Sequence, residues 1–152
     1  MPRRRPEPND AEDTPVELGD QHCKASANVV PGVLHGDTDV DWFRYSGVFS
    51  GNDCDADDPA PMAAITVTAD EPLEVCMFAD CDIEGATLFD CPDNTVEANS
   101  PGGRKGCCGV GSMAYVVDCQ AGADESAAVF VRLQMSTAGV CNAYSFTYSY
   151  QN

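Results

Sequence analysis

The chain has 152 residues, room for one domain of ordinary size with a core that needs no outside support. Eight basic against 25 acidic side chains leave a formal net charge of −17. Phosphate backbones and anionic bilayers are held by basic patches, so nucleic acid and membrane surfaces are set aside as partners, and the acidity fits solubility, cation binding or a basic partner.

Residues 1–20 are rich in Pro, Glu and Asp and carry almost no large apolar side chains, which predicts a disordered acidic linker ahead of a folded domain over 21–152. Arg3, Arg4 and Arg5 are followed at once by acidic residues and make too short an arm for nucleic acid. No apolar h-region occurs there, so the segment is neither a signal peptide nor a membrane span, and an export signal is expected further upstream.

Val29 to Leu34 is an apolar run interrupted by Pro31 and Gly32, which predicts an edge or bent strand. Gly36 to Asp41 is an acidic turn that runs into a strand carrying the single tryptophan. Alternation from Val40 places Val40, Trp42 and Arg44 on one face and Asp41, Phe43 and Tyr45 on the other. A loop over 47–61 precedes strands at Ile65–Thr68 and Leu73–Phe78, the latter with Leu73, Val75 and Met77 on one side. A short strand near Ala86–Phe89 leads to a long Pro/Gly/Asn loop over 91–106, braced by cysteines. Met113–Val117 is a further strand, and Ala128–Met135 faces Val129, Val131, Leu133 and Met135 inward. The clearest alternation closes the chain, with Tyr144, Phe146, Tyr148 and Tyr150 set against Ser145, Thr147 and Ser149.

No window sustains a helical period, and about eight short strands between Gly/Pro/Asp turns predict an all-β, jelly-roll-like antiparallel β-sandwich, with an orthogonal barrel as the alternative. Nine cysteines, Cys23, Cys54, Cys76, Cys81, Cys91, Cys107, Cys108, Cys119 and Cys141, offer no C-x-x-C pair for metal or redox chemistry. Disulfide bracing in an extracellular or cell-envelope compartment is the better reading. The odd count leaves at least one thiol free or paired with another chain, and connectivity is open. The adjacent Cys107 and Cys108 either form a vicinal bridge or each pair elsewhere; structural bridges dominate such domains, which favours the second.

Leu34-His35-Gly36-Asp37-Thr38-Asp39-Val40-Asp41-Trp42-Phe43-Arg44-Tyr45 resembles the signature of the bacterial pre-peptidase C-terminal domain family, in which a Gly and acidic turn precedes an Asp-Trp-Phe or Asp-Tyr-Phe strand. Asn142-Ala143-Tyr144-Ser145-Phe146-Thr147-Tyr148 is similar to that family's closing strand. The resemblance spans roughly Val29 to Tyr150 and is specific at the two ends. It implies a jelly-roll-like sandwich found beside exported enzymes and on cell surfaces, some relatives of which bind calcium, collagen or polysaccharide. The cysteine framework, including Gly106-Cys107-Cys108-Gly109, departs from the common pattern.

Two D-x-D-x-D runs, Asp37, Asp39, Asp41 and Asp53, Asp55, Asp57, are the candidate calcium ligands, because alternating carboxylates in a turn can converge on one hard cation. The alternative is plain turn chemistry. The EF-hand template fails at its glycine and its final glutamate, occupied here by Trp42 or Asp58 and by Val48 or Ala64. Trp42 is read as a core anchor before a sugar-stacking platform. Catalysis is thinly supported: His22 and His35 are the only histidines, and no G-x-S-x-G elbow, H-E-x-x-H helix or P-loop occurs. The expectation is a non-catalytic binding or accessory module that recognises a polysaccharide or extracellular protein through calcium, or else a structural envelope domain that holds a protein partner.

Overall fold

Residues that alternate at period two, with β-branched and aromatic side chains on the buried side, dictate strands throughout. The computed structural model describes residues 9–49, 54, 60–82, 87–119, 125–135 and 141–151, and these form an all-β, two-sheet, sandwich-like fold braced by disulfides. In chain order the strands are β1 (Val16–Glu17), β2 (Gln21–His22), β3 (Val29–Leu34), β4 (Val40–Val48), β5 (Met62–Ala69), β6 (Leu73–Cys81), β7 (Thr87–Leu88), β8 (Thr95–Asn99), β9 (Lys105–Val110), β10 (Met113–Val116), β11 (Asp118–Cys119), β12 (Ala127–Met135) and β13 (Asn142–Gln151). Among the described residues no helix is long and apolar enough to cross a membrane.

The larger sheet has the order β1-β4-β12-β6-β9-β8, with β2 also on β4; the smaller has the order β10-β5-β13-β3, and β11 pairs with β7 apart from both. β1 and β2 run parallel to β4, while the long central pairings are antiparallel. The interrupted run Val29–Leu34 is indeed an edge strand, since β3 pairs only with β13 in that order.

Between the sheets lies the main core. Phe43, Tyr45, Val75, Met77, Val129, Val131 and Leu133 from the larger sheet meet Ile65, Tyr144, Phe146, Tyr148 and Tyr150 from the smaller. Phe43 meets Phe146 edge-on at 5.0 Å, and Tyr45 lies 4.8 Å from Tyr148. Burial pushes the Tyr45 and Tyr115 hydroxyls up, and neighbouring tyrosines add to it, so both stay neutral donors, to Ser149 O and Met77 O.

The outward face of the larger sheet is also apolar. Trp42, Cys76, Phe78 and Phe130 form a second buried cluster there, with Trp42 and Phe78 stacked at 5.8 Å. That face is partly covered by the N-terminal segment. The expected linker over 1–20 is therefore packed from Asn9 onward: Trp42 N donates to Asn9 O at 2.8 Å, Leu18 N donates to Arg44 O at 2.7 Å, and Glu12 is buried. Main-chain bonds to a sheet edge order it where apolar content would not. Residues 1–8 lie outside the described ones.

A second correction concerns 91–106, expected as a loop. It contains β8 and leads through a tight turn into β9, making an antiparallel hairpin on the sheet's edge. Four bridges form: Cys23–Cys54, Cys76–Cys108, Cys81–Cys119 and Cys91–Cys107, leaving Cys141 free. Cys107 and Cys108 sit on opposite faces of β9, Cys107 in the main core and Cys108 against the outer cluster, so each pairs elsewhere. Four bridges mark a chain matured in an oxidising environment.

Candidate metal centre and binding groove

The turn before β4 is built by Gly36, whose φ of 125° is open to glycine and rare for other residues, and by the Asp39 amide donating to Gly36 O at 3.3 Å. This turn separates the three aspartates of the first run. Asp37 points to solvent, while Asp39 and Asp41 are 0% and 2% exposed. Asp10, delivered by the N-terminal segment, takes the place expected for Asp37. One carboxylate oxygen from each of Asp10, Asp39 and Asp41 lies within 4.8 Å of the others.

The geometry suits one hard cation. At the usual Ca–O distance of about 2.4 Å, ligands on opposite sides of calcium are about 4.8 Å apart, so the three oxygens fit around a single ion. His35 N donates to Asp39 Oδ2 at 2.8 Å, and the Tyr144 hydroxyl donates to Asp41 Oδ2 at 2.6 Å. These two hydrogen bonds orient the carboxylates. Asp10 is exposed.

The same aspartate lines a groove of about 680 Å³ on the outer face, together with Glu12, Trp42, Arg44, Arg104 and Phe130. Glu12 anchors its wall. The carboxylate accepts from the Ser100 hydroxyl, from Gly102 N at 2.6 Å and from Arg104 Nη1 at 2.8 Å. Burial alone would raise the Glu12 carboxyl, but these three hydrogen bonds and the Arg104 charge outweigh it and hold the group below its usual range. Arg104 lies 4.0 Å over the Phe130 ring, and Arg44 pairs with Glu17 at 3.0 Å across the opening. The aromatic floor is covered: Trp42 is 3% exposed and Phe130 5%, so Trp42 is a core anchor and offers no open face for a sugar ring.

Asp53, Asp55 and Asp57, the second predicted run, lie outside the described residues. Glu74, Cys76 and Cys108 also bring donor atoms within 4.8 Å, but both sulfurs belong to one disulfide and are not thiolate ligands. His22 lies on β2, and His35 Nδ1 is 4.0 Å from Cys141 Sγ. Sequence reasoning missed Asp10 and Glu12 because their segment has the composition of a solvated tail. The pairing of β1 with β4, the Trp42 N bond to Asn9 O and the Glu12 hydrogen bonds carry them onto the sheet. Comparisons of the chain with protein-family models, with curated proteins and with solved structures find no match.

Proposed function

We propose that the chain is a non-catalytic binding module of the cell envelope or extracellular space, in which a calcium ion held by Asp10, Asp39 and Asp41 fixes the wall of a ligand groove. The carboxylate cluster carries this reading, because two of its members are buried and its oxygens have the spread of one calcium shell. Asp10 belongs to both the cluster and the groove, so a cation there ties the N-terminal segment to the turn before β4 and couples ion binding to groove shape. Disulfide bracing supports the compartment. The resemblance of Leu34–Tyr45 to the pre-peptidase C-terminal domain family supports a polysaccharide or extracellular matrix protein as the ligand class.

The test combines stability and depletion. Calcium at 100 times its Kd should stabilise the oxidised protein by about 2.7 kcal/mol, seen as a higher Tm than in chelator. Asp41→Asn should abolish that response, since it removes one of the three clustered carboxylates while keeping an acceptor for Tyr144. Insoluble polysaccharides and collagen should deplete the wild-type protein from solution in calcium only. A Tm indifferent to calcium removes the cation from the reading, and depletion that survives chelator separates the groove from the ion.

A structural envelope domain holding a protein partner is the second reading. The β8–β9 hairpin favours it, because Val96 on the edge strand β8 and Val110 at the end of β9 are 67% and 65% exposed. Absence of depletion under both conditions, with calcium stabilisation intact, points there.

A further inference from the structure

The four bridges differ in what surrounds their sulfurs. Cys76 and Cys108 are directly opposed across β6 and β9 on the outward face, with Cys76 fully buried and Cys108 half-buried. On the other side of β6, Arg132 of β12 stands opposite Cys76 in register. Its Nη2 lies 3.0 Å from Cys76 Sγ and 2.8 Å from Glu74 Oε1. At two of the other bridges the neighbours have the opposite polarity: Cys91 Sγ is 3.7 Å from Gly106 O, and Cys119 Sγ is 3.9 Å from Ser126 O. A guanidinium stabilises a thiolate and a carbonyl oxygen opposes one, so among these three bridges the one that releases its sulfur most readily is the one beside Arg132. Glu74 works against this at 3.8 Å from Cys76 Sγ, but its side chain is 39% exposed and already paired with Arg132.

We propose that Cys76–Cys108 is a thiol-exchange site that accepts electrons from a dithiol partner, with Arg132 as the residue that positions and stabilises the departing Cys76 thiolate. The partner's thiolate attacks Sγ of Cys108, the less buried residue of the pair. A new S–S bond forms there, the Cys76–Cys108 bond breaks, and its electron pair leaves on Cys76 Sγ toward Arg132. The partner's second thiolate then attacks its own sulfur in the mixed disulfide, closing the partner's ring and expelling Cys108 as a thiolate that takes a proton from water. Two electrons pass from dithiol to bridge: the partner is oxidised to a disulfide, and this chain is reduced. Cys91–Cys107 and the β6–β9 backbone ladder remain, so the strand stays in place while the outer face loses its pin.

Trp42, the only tryptophan, shares the outer cluster with Cys76 and reports on it. The full oxidised chain, with Cys141 blocked by alkylation, would be exposed to graded dithiothreitol, quenched with iodoacetamide and mapped by mass spectrometry while Trp42 fluorescence is followed. Cys76 and Cys108 should label before the other six bridged cysteines, in step with the change in Trp42 fluorescence. Arg132→Gln should slow that first phase roughly tenfold, as expected when the leaving thiol's pKa rises by about one to two units, and Arg132→Lys should slow it less. Rates at Cys81–Cys119 and Cys91–Cys107 should be unchanged in both. If another bridge opens first, if all open together, or if Arg132→Gln leaves the first phase untouched, the assignment is wrong.

Discussion

At Gly106 a methyl group would press into the Met77 carbonyl oxygen and come within 2.6 Å of Phe78 Cδ1. The obstruction is backbone on the adjacent strand β6, which cannot swing aside as a side-chain tip can. Gly106→Ala is therefore expected to destabilise the protein by about 1–3 kcal/mol, the usual range for overpacking, read from the urea midpoint at constant slope. Gly19→Ala is its control: nothing lies within 4 Å of the added carbon, so the change should stay within about 0.5 kcal/mol. Equal effects at the two sites would show that backbone entropy, and not the close approach, sets the requirement at Gly106. The same residue explains a misreading. Gly and Pro punctuate loops, and 91–106 looks like one by composition, but Gly106 is there because the β6–β9 pairing leaves no room for Cβ. A glycine required by a neighbour strand and one required by a turn look identical in sequence. Gly36 is the contrasting case, where the adjacent aspartates made the turn legible.

The N-terminal segment is the element that composition hid. It lacks the apolar residues that normally order a chain, and it is held by main-chain bonds along the edge of β4 and by the Glu12 carboxylate at the β8–β9 turn. Glu12 gives it a pH dependence whose sign follows from its native pKa lying below the ordinary 4.5. The unfolded chain takes up the proton first as pH falls, so the stabilisation from Glu12 is complete above 4.5 and disappears as pH drops through the lower native value. Glu12→Gln should lower stability at pH 7 by about 1.5–3 kcal/mol, the range for hydrogen bonds to a charged group. The gap between variant and wild type should narrow below pH 4.5 in urea titrations. Parallel curves down to pH 3 would mean that the carboxylate charge does not hold the segment. Asp10 travels with this element, so loosening Glu12 should also weaken the proposed calcium stabilisation, although Glu12 is not among the clustered carboxylates.

Across the whole molecule, the strands with one buried face were readable because period-two alternation survives any choice of partner. Val129, Val131, Leu133 and Met135 face the core as expected, and so do Tyr144, Phe146, Tyr148 and Tyr150. Bridge connectivity was not readable, since Cys76 meets Cys108 only once β6 and β9 have found their register. The candidate cluster was half legible: Asp39 and Asp41 are local to one turn, and Asp10 arrives through a strand pairing between distant segments. None of the four bridges joins the larger sheet to the smaller one. Cys76–Cys108 lies within the larger sheet, Cys81–Cys119 ties β6 to β11, Cys91–Cys107 closes the hairpin approach, and Cys23–Cys54 follows β2. The two sheets are thus held by the aromatic and aliphatic core and by the Tyr45, Tyr115 and Tyr144 hydroxyls that hydrogen-bond from one sheet to the other, none of which reduction touches. Full reduction should accordingly lower stability, by about 2–5 kcal/mol for each native bridge taken singly, by releasing the unfolded chain from its loops. The sheets should nonetheless remain packed at low denaturant, with near-ultraviolet signals from the core tyrosines retained and one cooperative transition at a lower midpoint. A reduced chain that keeps its strand signal but loses tyrosine asymmetry and cooperativity would show that packing between the sheets depends on the bridges after all.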